Sequence, residues 1–287
     1  EALPSETIQE IVSISLKGGI NWFDSAEIYG GGKSEHELAR ALISLGKKPG
    51  EVIIATKWFP LGRFAGSITR TIGKRLGFLD GFPIDLYQVH LPVSFSSFKA
   101  QMNAMAELLR EKKIRSVGVS NFSASQMRKA YSALQEQGFD LVSNQMLYSL
   151  LDRNIEKDGV LETAKELGIT IIAYSPLAQG VLTGKFHDDP ERIKSRPLIR
   201  RFRKDFHANG LKQTEPLIKE LKSIANSYGV TPGQVALNWV INVYGETIVT
   251  IPGATRASQA EQNAGAMGFT LSEKEIERLS EISLSVT

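Results

Sequence analysis

The chain has 287 residues, of which 42% are hydrophobic and 23% charged, a composition typical of a folded globular protein. Its 34 basic and 31 acidic residues leave a net charge of only +3, which gives no indication of nucleic-acid binding. The absence of cysteine excludes a disulfide framework and a thiolate zinc site, and no apolar run approaches the roughly 20 residues of a membrane span. We therefore expect a soluble protein that forms a single domain over residues 1–287, without nucleic-acid or membrane partners.

Short apolar runs alternate along the chain with amphipathic helical patterns. Runs of this length, bounded by turn signals, are typical of strands in a parallel sheet, because such strands are covered on both faces. The predicted strands are 20–24, 51–58, 85–91, 114–120, 141–146, 169–176 and 247–251. The predicted helices are 1–17, 34–45, 67–79, 98–111, 124–137, 155–167, 214–228, one that starts at 231–232, 256–266 and 271–284.

The alternation predicts an α/β fold in which helices connect parallel strands. We expect a (β/α)8 TIM barrel, which has eight strands, although only seven are predicted. Because the chain opens on a helix and without methionine, we expect the first strand to lie upstream of Glu1. An open doubly wound sheet is the alternative. Residues 177–212 interrupt the alternation and are predicted to form a long loop with a basic stretch at 196–204.

Ionisable residues end three successive predicted strands. Asp24, Lys57 and His90 close the first, second and third strands, and Tyr29 follows on the first loop. Parallel strands share an edge at their carboxyl ends, which is where barrel enzymes carry their chemistry. An ammonium stabilises a nearby phenolate, so Lys57, held by Asp24, would make Tyr29 a stronger general acid for a carbonyl oxygen. His90 would bind the same oxygen.

Each of these four residues also has a purely structural explanation when it is taken alone. Tyr29 could be an ordinary half-buried loop residue, and Asp24 could cap a helix or a turn. Lys57 could extend its ammonium to solvent, and a lone histidine more often completes a core. A metal site is disfavoured because lysine is a poor ligand and only one histidine is near. No Gly-x-Ser-x-Gly or Gly-x-Gly-x-x-Gly motif is present, so neither a nucleophile elbow nor a Rossmann site is indicated.

Later strands supply polar groups that suit a bound cofactor. The side chains of Ser120, Asn121 and Gln145 donate and accept hydrogen bonds, as a carboxamide ligand requires, and Tyr174 could stack on a planar ring. Capping of the next helix is the structural alternative for Ser120 and Asn121. These residues therefore predict a second, non-redox part of the site.

The end of the last strand has the features of an anion site. Gly253 precedes a helix amino terminus, and Arg256 can bind a phosphate through two hydrogen bonds. Four residues of that helix could reach a base or a ribose: Gln259, Glu261, Gln262 and Asn263. A solvated surface arginine at a helix start is the structural alternative.

Taken together, several motifs resemble those of the aldo-keto reductases over most of the chain. They are Phe-Asp-Ser-Ala-Glu-Ile-Tyr-Gly (23–30), Ala-Thr-Lys (55–57), Asp-Leu-Tyr-Gln-Val-His (85–90), Gly-Val-Ser-Asn-Phe (118–122), Asn-Gln-Met-Leu-Tyr-Ser (144–149), Tyr-Ser-Pro-Leu (174–177) and Ile-Pro-Gly-Ala (251–254). The resemblance implies NADPH-dependent reduction of an aldehyde or ketone to an alcohol. It also implies a catalytic tetrad of Asp24, Tyr29, Lys57 and His90, with Tyr29 as the proton donor.

The resemblance further implies contacts with NADPH along much of the chain. Ser120, Asn121 and Gln145 would meet the nicotinamide carboxamide, and Tyr174 its ring. The pyrophosphate would lie against Ser175, Pro176, Leu177, Gly180, Leu182 and Lys185, and the adenosine 2′-phosphate end against Arg256, Gln259 and Asn263. Many relatives have Lys-Ser where this chain has Gly253-Ala254. That departure resembles the branch with the potassium-channel β subunits and several plant and bacterial reductases, and gives Arg256 more of the phosphate recognition.

The resemblance leaves the substrate, the oligomeric state and the compartment open. Trp58, Phe59, Tyr148 and segment 186–210 are expected to shape the substrate pocket. One alternative function is an NADPH-binding regulatory or redox-sensing module with little turnover, as the channel β subunits suggest. A phosphosugar-type barrel enzyme that uses the last strand's anion site is a weaker alternative. The similarity of 144–153 to plant plastid reductases makes the plastid stroma, besides the cytoplasm, an expected location.

Overall fold

Seven strands form one sheet in the computed structural model, which describes residues 3–195 and 206–287. They are β1 (Trp22–Asp24), β2 (Ile53–Trp58), β3 (Ile84–Val89), β4 (Ile114–Ser120), β5 (Leu141–Leu147), β6 (Thr170–Tyr174) and β7 (Ile248–Thr250). They follow one another across the sheet in chain order, and the registers from β1 to β5 are parallel. All seven predicted strands are confirmed, with bounds within two residues of those expected.

Helices separate the strands, as the sequence pattern predicts. They are α1 (Ser5–Lys17), α2 (Lys33–Ser44), α3 (Gly66–Phe78), α4 (Phe98–Arg110), α5 (Ala124–Gln135), α6 (Val160–Leu167), α7 (Lys185–Asp188), α8 (Ala208–Tyr228), α9 (Pro232–Asn242), α10 (Ala257–Gly265) and α11 (Glu273–Val286). Ser272 and Glu275 form a capping box at the start of α11, with both reciprocal hydrogen bonds. None of the helices in the described part of the chain has the length and apolar character needed to span a bilayer.

The prediction of a long loop over 177–212 was wrong at both of its described ends. Residues 178–183, 185–188 and 190–195 form short helical segments, and α8 starts at Ala208, before the expected 214. Gly210 and Pro216 are weak helix formers that hide this start in the sequence. Burial of Leu211 and Leu217 on the helix stabilises it nonetheless. The basic stretch 196–204 lies outside the described residues.

The helix predicted from Ile155 begins only at Val160. The preceding Gly159 has a φ of +81°, which is incompatible with a helical turn, and the carboxylate of Asp158 accepts a hydrogen bond from the Val160 N–H at 3.0 Å. Residues 154–156 form a separate 3₁₀ turn. Local turn chemistry therefore overrides the apolar periodicity here.

The chain divides into two compact units. The first consists of residues 1–146, 155–172 and 254–261, and the second of residues 147–154, 173–253 and 262–287. Large buried side chains of the first unit include Trp58, Tyr87 and Phe122, and those of the second include Tyr148 and Trp239. The single-domain organisation expected from the sequence stays a prediction.

Candidate active site

The first unit holds a buried lysine–aspartate pair at the carboxyl ends of β1 and β2. The Lys57 ammonium donates to Asp24 Oδ2 and, at 2.7 Å, to the backbone carbonyl of Ser25. The Lys57 side chain is fully buried, and 9% of the Asp24 side chain is exposed. Burial lowers the pKa of the Lys57 ammonium, and the neighbouring Asp24 carboxylate opposes that shift. The pair therefore places a cation in a site that is almost dry.

Tyr29 lies beside this pair on the loop that follows β1. The Lys57 Nζ atom is 5.4 Å from the centroid of the Tyr29 ring, and 44% of the tyrosine is exposed. Three consecutive glycines with positive φ follow it, and Ser34 N–H donates to the Tyr29 carbonyl at 3.3 Å. The loop is thus a compact turn that presents a solvent-accessible phenol next to a buried ammonium.

His90 completes the group expected from the sequence. Its ring lies edge-on to Tyr29, with ring centroids 5.9 Å apart, and edge-on to Phe59 at 5.8 Å. Burial, reinforced by the positive charge of Lys57, lowers the pKa of His90 to about 4. The imidazole is therefore neutral at pH 7, and its buried Nδ1 atom has no hydrogen-bond partner among the described residues.

Two glutamines hold the second oxygen of Asp24, a contact that the sequence did not reveal. Gln145 Nε2 donates to Asp24 Oδ1 at 3.0 Å and Gln88 Nε2 donates to it at 3.3 Å. Gln88 lies opposite Lys57 in the register of β2 and β3. A glutamine two positions before His90 in an apolar strand was the available signal, because alternate strand residues share a face.

The residues expected to meet a nicotinamide carboxamide cluster within the first unit. The Gln145 carbonyl accepts from Ser120 Oγ at 3.0 Å and from the Asn121 N–H at 2.9 Å, and Asn121 Nδ2 donates to Ser120 Oγ at 3.0 Å. Asn121 has a φ of +60°, a strained conformation that is enriched at functional sites. The cluster is joined to the tetrad through the Gln145 contact with Asp24.

In the second unit, the segment expected to meet a pyrophosphate has an unusual backbone. Ser175, Ala178, Gln179 and Gly180 all have positive φ values. A Cβ atom on Gly180 would lie only 3.0 Å from Lys185 Nζ, so glycine allows the half-buried ammonium to approach the bare backbone. A cation against a tight turn is a setting that fits a phosphate group. Pro176, Leu177 and Leu182 belong to the same segment, and the Tyr174 carbonyl at the end of β6 accepts from the Tyr148 N–H at 3.5 Å.

The residues expected near an adenosine phosphate are divided between the two units. In the first unit, Arg256 is exposed and Gln259 Oε1 accepts from the Thr255 N–H at 2.8 Å. In the second unit, Gly253 and Gln262 are exposed, and Asn263 Nδ2 donates to the Pro252 carbonyl at 3.4 Å. No ion-pair partner of Arg256 is found in the described part of the chain, which leaves its guanidinium available to an anion.

Two of the three aromatic residues expected in the substrate pocket, Trp58 and Tyr148, lie in the cores of their own units. Trp58 is fully buried and its Nε1 donates to Ser67 Oγ at 3.1 Å, and Tyr148 is buried against Trp239 at a ring distance of 5.6 Å. Their contact with a substrate stays a prediction. Phe59, on the loop that follows β2, is half-buried and contacts the tetrad through the His90 ring.

Residues 3–195 and 206–287 contain no group of three histidine, aspartate or glutamate side chains placed to hold an ion.

Comparisons with known proteins show what this chain is similar to. The model of the "Aldo/keto reductase family" matches residues 1–284. An uncharacterized oxidoreductase of Mycobacterium tuberculosis is 39% identical over 268 residues, which covers 92% of this chain and 78% of that protein. A chloroplastic pyridoxal reductase of Arabidopsis thaliana is 31% identical over 282 residues, which covers 94% of this chain and 74% of that protein.

Among solved structures, an aldo-keto reductase from Klebsiella pneumoniae in complex with NADPH superposes with a TM-score of 0.75. It is 26% identical, and the match covers 97% of this chain and 86% of that chain. The structural neighbours are (β/α)8 barrels, and the ordered parallel strands and alternating helices agree with them. The predicted fold class is confirmed.

Proposed function

Because the chain belongs to the aldo/keto reductase family, we propose that it reduces an aldehyde or ketone to an alcohol, with hydride from NADPH and a proton from Tyr29. The observation that carries this proposal is the buried Lys57–Asp24 pair beside an accessible phenol, with the Lys57 ammonium 5.4 Å from the Tyr29 ring. A phenol so placed can give its proton to a carbonyl oxygen, and the ammonium stabilises the phenolate that remains.

Asp24 and the two glutamines keep the ammonium in place. One carboxylate oxygen binds Lys57, and the other accepts from Gln88 at 3.3 Å and Gln145 at 3.0 Å. Because both carboxylate oxygens accept hydrogen bonds from buried side chains, the position of the Lys57 ammonium is restricted. The charge that acidifies Tyr29 is therefore preorganised and needs little rearrangement during the reaction.

His90 orients the substrate in this proposal. Its pKa of about 4 keeps the ring neutral at physiological pH, so it can donate one N–H to the carbonyl oxygen without competing with Tyr29 as an acid. Its edge-on contacts with Tyr29 and Phe59 fix the ring plane. The oxygen would then receive two donors, one of which transfers its proton.

We assign NADPH as the cofactor on the basis of the relatives and of the residues that fit it. When bound, NADPH supplies the hydride. Ser120, Asn121 and Gln145 would hold the carboxamide of its nicotinamide and Tyr174 would lie against the ring, while Lys185 would bind the pyrophosphate. The exposed Arg256 would bind the 2′-phosphate. Gln259, Gln262 and Asn263 would contact the adenosine.

The 2′-phosphate assignment is tested by Arg256→Ala. A hydrogen-bonded charge pair of this kind contributes about 1.5–3 kcal/mol, so KM for NADPH should rise about 10- to 100-fold while KM for NADH stays the same. Steady-state kinetics with both cofactors makes the comparison. Equal effects on the two cofactors would reject the phosphate role of Arg256.

The function itself is tested by a screen of NADPH oxidation across aldehydes, ketones and quinones. Pyridoxal belongs in the screen because one relative is named a pyridoxal reductase. Turnover with at least one carbonyl compound, matched by formation of the alcohol, supports the proposal. Tight NADPH binding without turnover of any compound would instead favour the redox-sensing module, and failure to bind a nicotinamide cofactor would reject both functions.

A further inference from the structure

Arg63 joins three loops of the first unit. It lies on the loop after β2, and its guanidinium pairs with Glu27 on the loop after β1 and donates to the Phe59 carbonyl at 3.1 Å. Its own carbonyl accepts from Ser94 Oγ at 2.9 Å and from the Phe95 N–H at 3.1 Å, both on the loop after β3. Arg63 thus connects the loops that follow β1, β2 and β3. These strands end at Asp24, one residue after Lys57, and one residue before His90.

Helix α3 fixes the guanidinium from the other side. Arg63 Nε donates to Ser67 Oγ and Nη2 donates to Thr71 Oγ1, each at 3.0 Å. The guanidinium carbon also lies 5.4 Å from the Trp58 ring centroid. All three guanidinium nitrogens therefore have acceptors, and a planar fork with this pattern cannot be reproduced by the single ammonium of a lysine.

Glu27 carries this connection to the tetrad. Its Oε1 atom accepts from the Phe59 N–H as well as from Arg63, and its own N–H donates to the Lys57 carbonyl at 3.1 Å. Glu27 lies two residues before Tyr29, and Phe59 packs edge-on against His90 at 5.8 Å. The carboxylate is mostly buried, with 12% of the side chain exposed.

We propose that Arg63 and Glu27 are positioning residues that hold Tyr29 and His90 at a fixed separation for carbonyl reduction. This inference rests on the proposed function. Neither residue acts on the carbonyl group itself; Glu27 fixes the Tyr29 loop, and the Arg63–Glu27 pair fixes Phe59 and through it the His90 ring. A displacement of about 1 Å at reacting groups costs about 100-fold in rate, so a clamp outside the tetrad can control turnover.

Three arginine variants test the clamp in the full-length protein. Arg63→Met should lower kcat about 100-fold with the Kd for NADPH unchanged, because the tetrad loses its spacing. Arg63→Lys should recover part of that loss, to about 10-fold below wild type, since it keeps the charge and loses the fork. Arg70→Met, which removes an exposed arginine from the neighbouring helix α3, serves as the matched control and should match wild type.

A second measurement keeps the clamp testable without turnover. Hydrogen exchange should become faster at the peptides spanning 59–66 and 91–97 in Arg63→Met, and also at 59–66 in Glu27→Gln, while the peptide over α5 stays protected. Faster exchange with the expected loss of kcat supports the proposal. Unchanged exchange in both loops, or faster exchange with unchanged kcat, would overturn it. If the wild type reduces no carbonyl compound, the proposed function fails, and the exchange data still decide whether the clamp orders these loops.

Discussion

Two buried ion pairs of the first unit contact adjacent residues of β2. Only the Lys57–Asp24 pair lies beside a tyrosine that is exposed to solvent. Lys57 binds Asp24, whereas its neighbour Thr56 donates through Oγ1 to Glu35 at 2.6 Å, and Glu35 pairs with Arg75 at 2.9 Å. Successive residues of a strand face opposite sides of the sheet. The Lys57–Asp24 pair therefore lies on the side of the tetrad, and the Arg75–Glu35 pair joins β2 to helices α2 and α3.

The chemistry of the cation and the access of water separate the two pairs. Burial lowers the pKa of Lys57, whereas arginine stays protonated in any protein setting. Each pair has a tyrosine within electrostatic reach: Tyr29 is 44% exposed, while Tyr87 is fully buried, and burial raises the pKa of its phenol. Burial likewise raises the pKa of Glu35. A charge pair can thus serve proton transfer only where a labile group beside it reaches solvent or substrate.

The largest expected effect separates the two tyrosines. Tyr29→Phe should lower kcat by about 10⁴-fold, the upper range for loss of a general acid, with the Kd for NADPH unchanged. Tyr87→Phe should leave kcat unchanged, because the Tyr87 hydroxyl has no hydrogen-bond partner in the described residues. Kinetics and fluorescence titration of NADPH measure both quantities. A Tyr29→Phe enzyme with wild-type kcat would remove Tyr29 as the proton donor.

Replacing Lys57 or Arg75 by methionine should affect different properties: turnover in the first variant and stability in the second. Lys57→Met should abolish measurable turnover with a smaller loss of stability, because Gln88 and Gln145 still donate to Asp24. Arg75→Met should cost about 3–5 kcal/mol of unfolding free energy, since Glu35 is left as a fully buried charge, and should spare kcat of the folded fraction. Urea denaturation and initial rates, measured on both variants, compare these losses. Equal losses of kcat and of unfolding free energy in the two variants would contradict a catalytic role for one pair and a structural role for the other.

His90, which lies near the Lys57–Asp24 pair, should make the free energy of unfolding depend on pH. Its pKa is lowered to about 4 from the ordinary 6.5, so the unfolded chain binds a proton more readily between these values. This contribution to stability is present above pH 6.5 and is lost as pH falls towards 4, by no more than about 3 kcal/mol. His90→Gln should flatten the pH dependence of the unfolding free energy in this range. An unchanged slope would show that His90 titrates normally.

The smallest expected effect concerns the support of Asp24. Gln88→Met removes one donor to Asp24 Oδ1 at nearly constant volume, and kcat should fall about 5-fold because one hydrogen bond contributes about 1 kcal/mol. Ser143→Ala removes a buried hydroxyl that has no partner in the described residues and should change nothing. A Gln88→Met enzyme as active as the Ser143→Ala enzyme would show that Gln145 and Lys57 suffice to hold the carboxylate.

Much of the sheet, and of the site in the first unit, follows from patterns that are local in sequence. Seven apolar runs gave the strands within two residues, and three ionisable strand ends gave Asp24, Lys57 and His90, because parallel strands align their carboxyl ends. The assignment of the tetrad as catalytic remains a prediction, although the structure brings its members together.

Contacts that depend on register and tertiary packing were not visible in the sequence. The donation of Gln88 to Asp24 requires the pairing of β2 with β3 that places Gln88 opposite Lys57. The Arg63–Glu27 pair joins residues 36 positions apart on two loops, and no periodicity relates loops. The start of α8 was hidden by weak helix formers, since burial rather than propensity decides it.

The turn after Tyr29 limits how this protein can be redesigned. Gly32 has a φ of +101°, and a Cβ atom there would lie 2.3 Å from the Phe78 ring. Any side chain at this position would displace the Phe78 ring of helix α3 or distort the turn that follows Tyr29. Attempts to change the substrate preference of the proposed enzyme should therefore leave Gly32 unchanged.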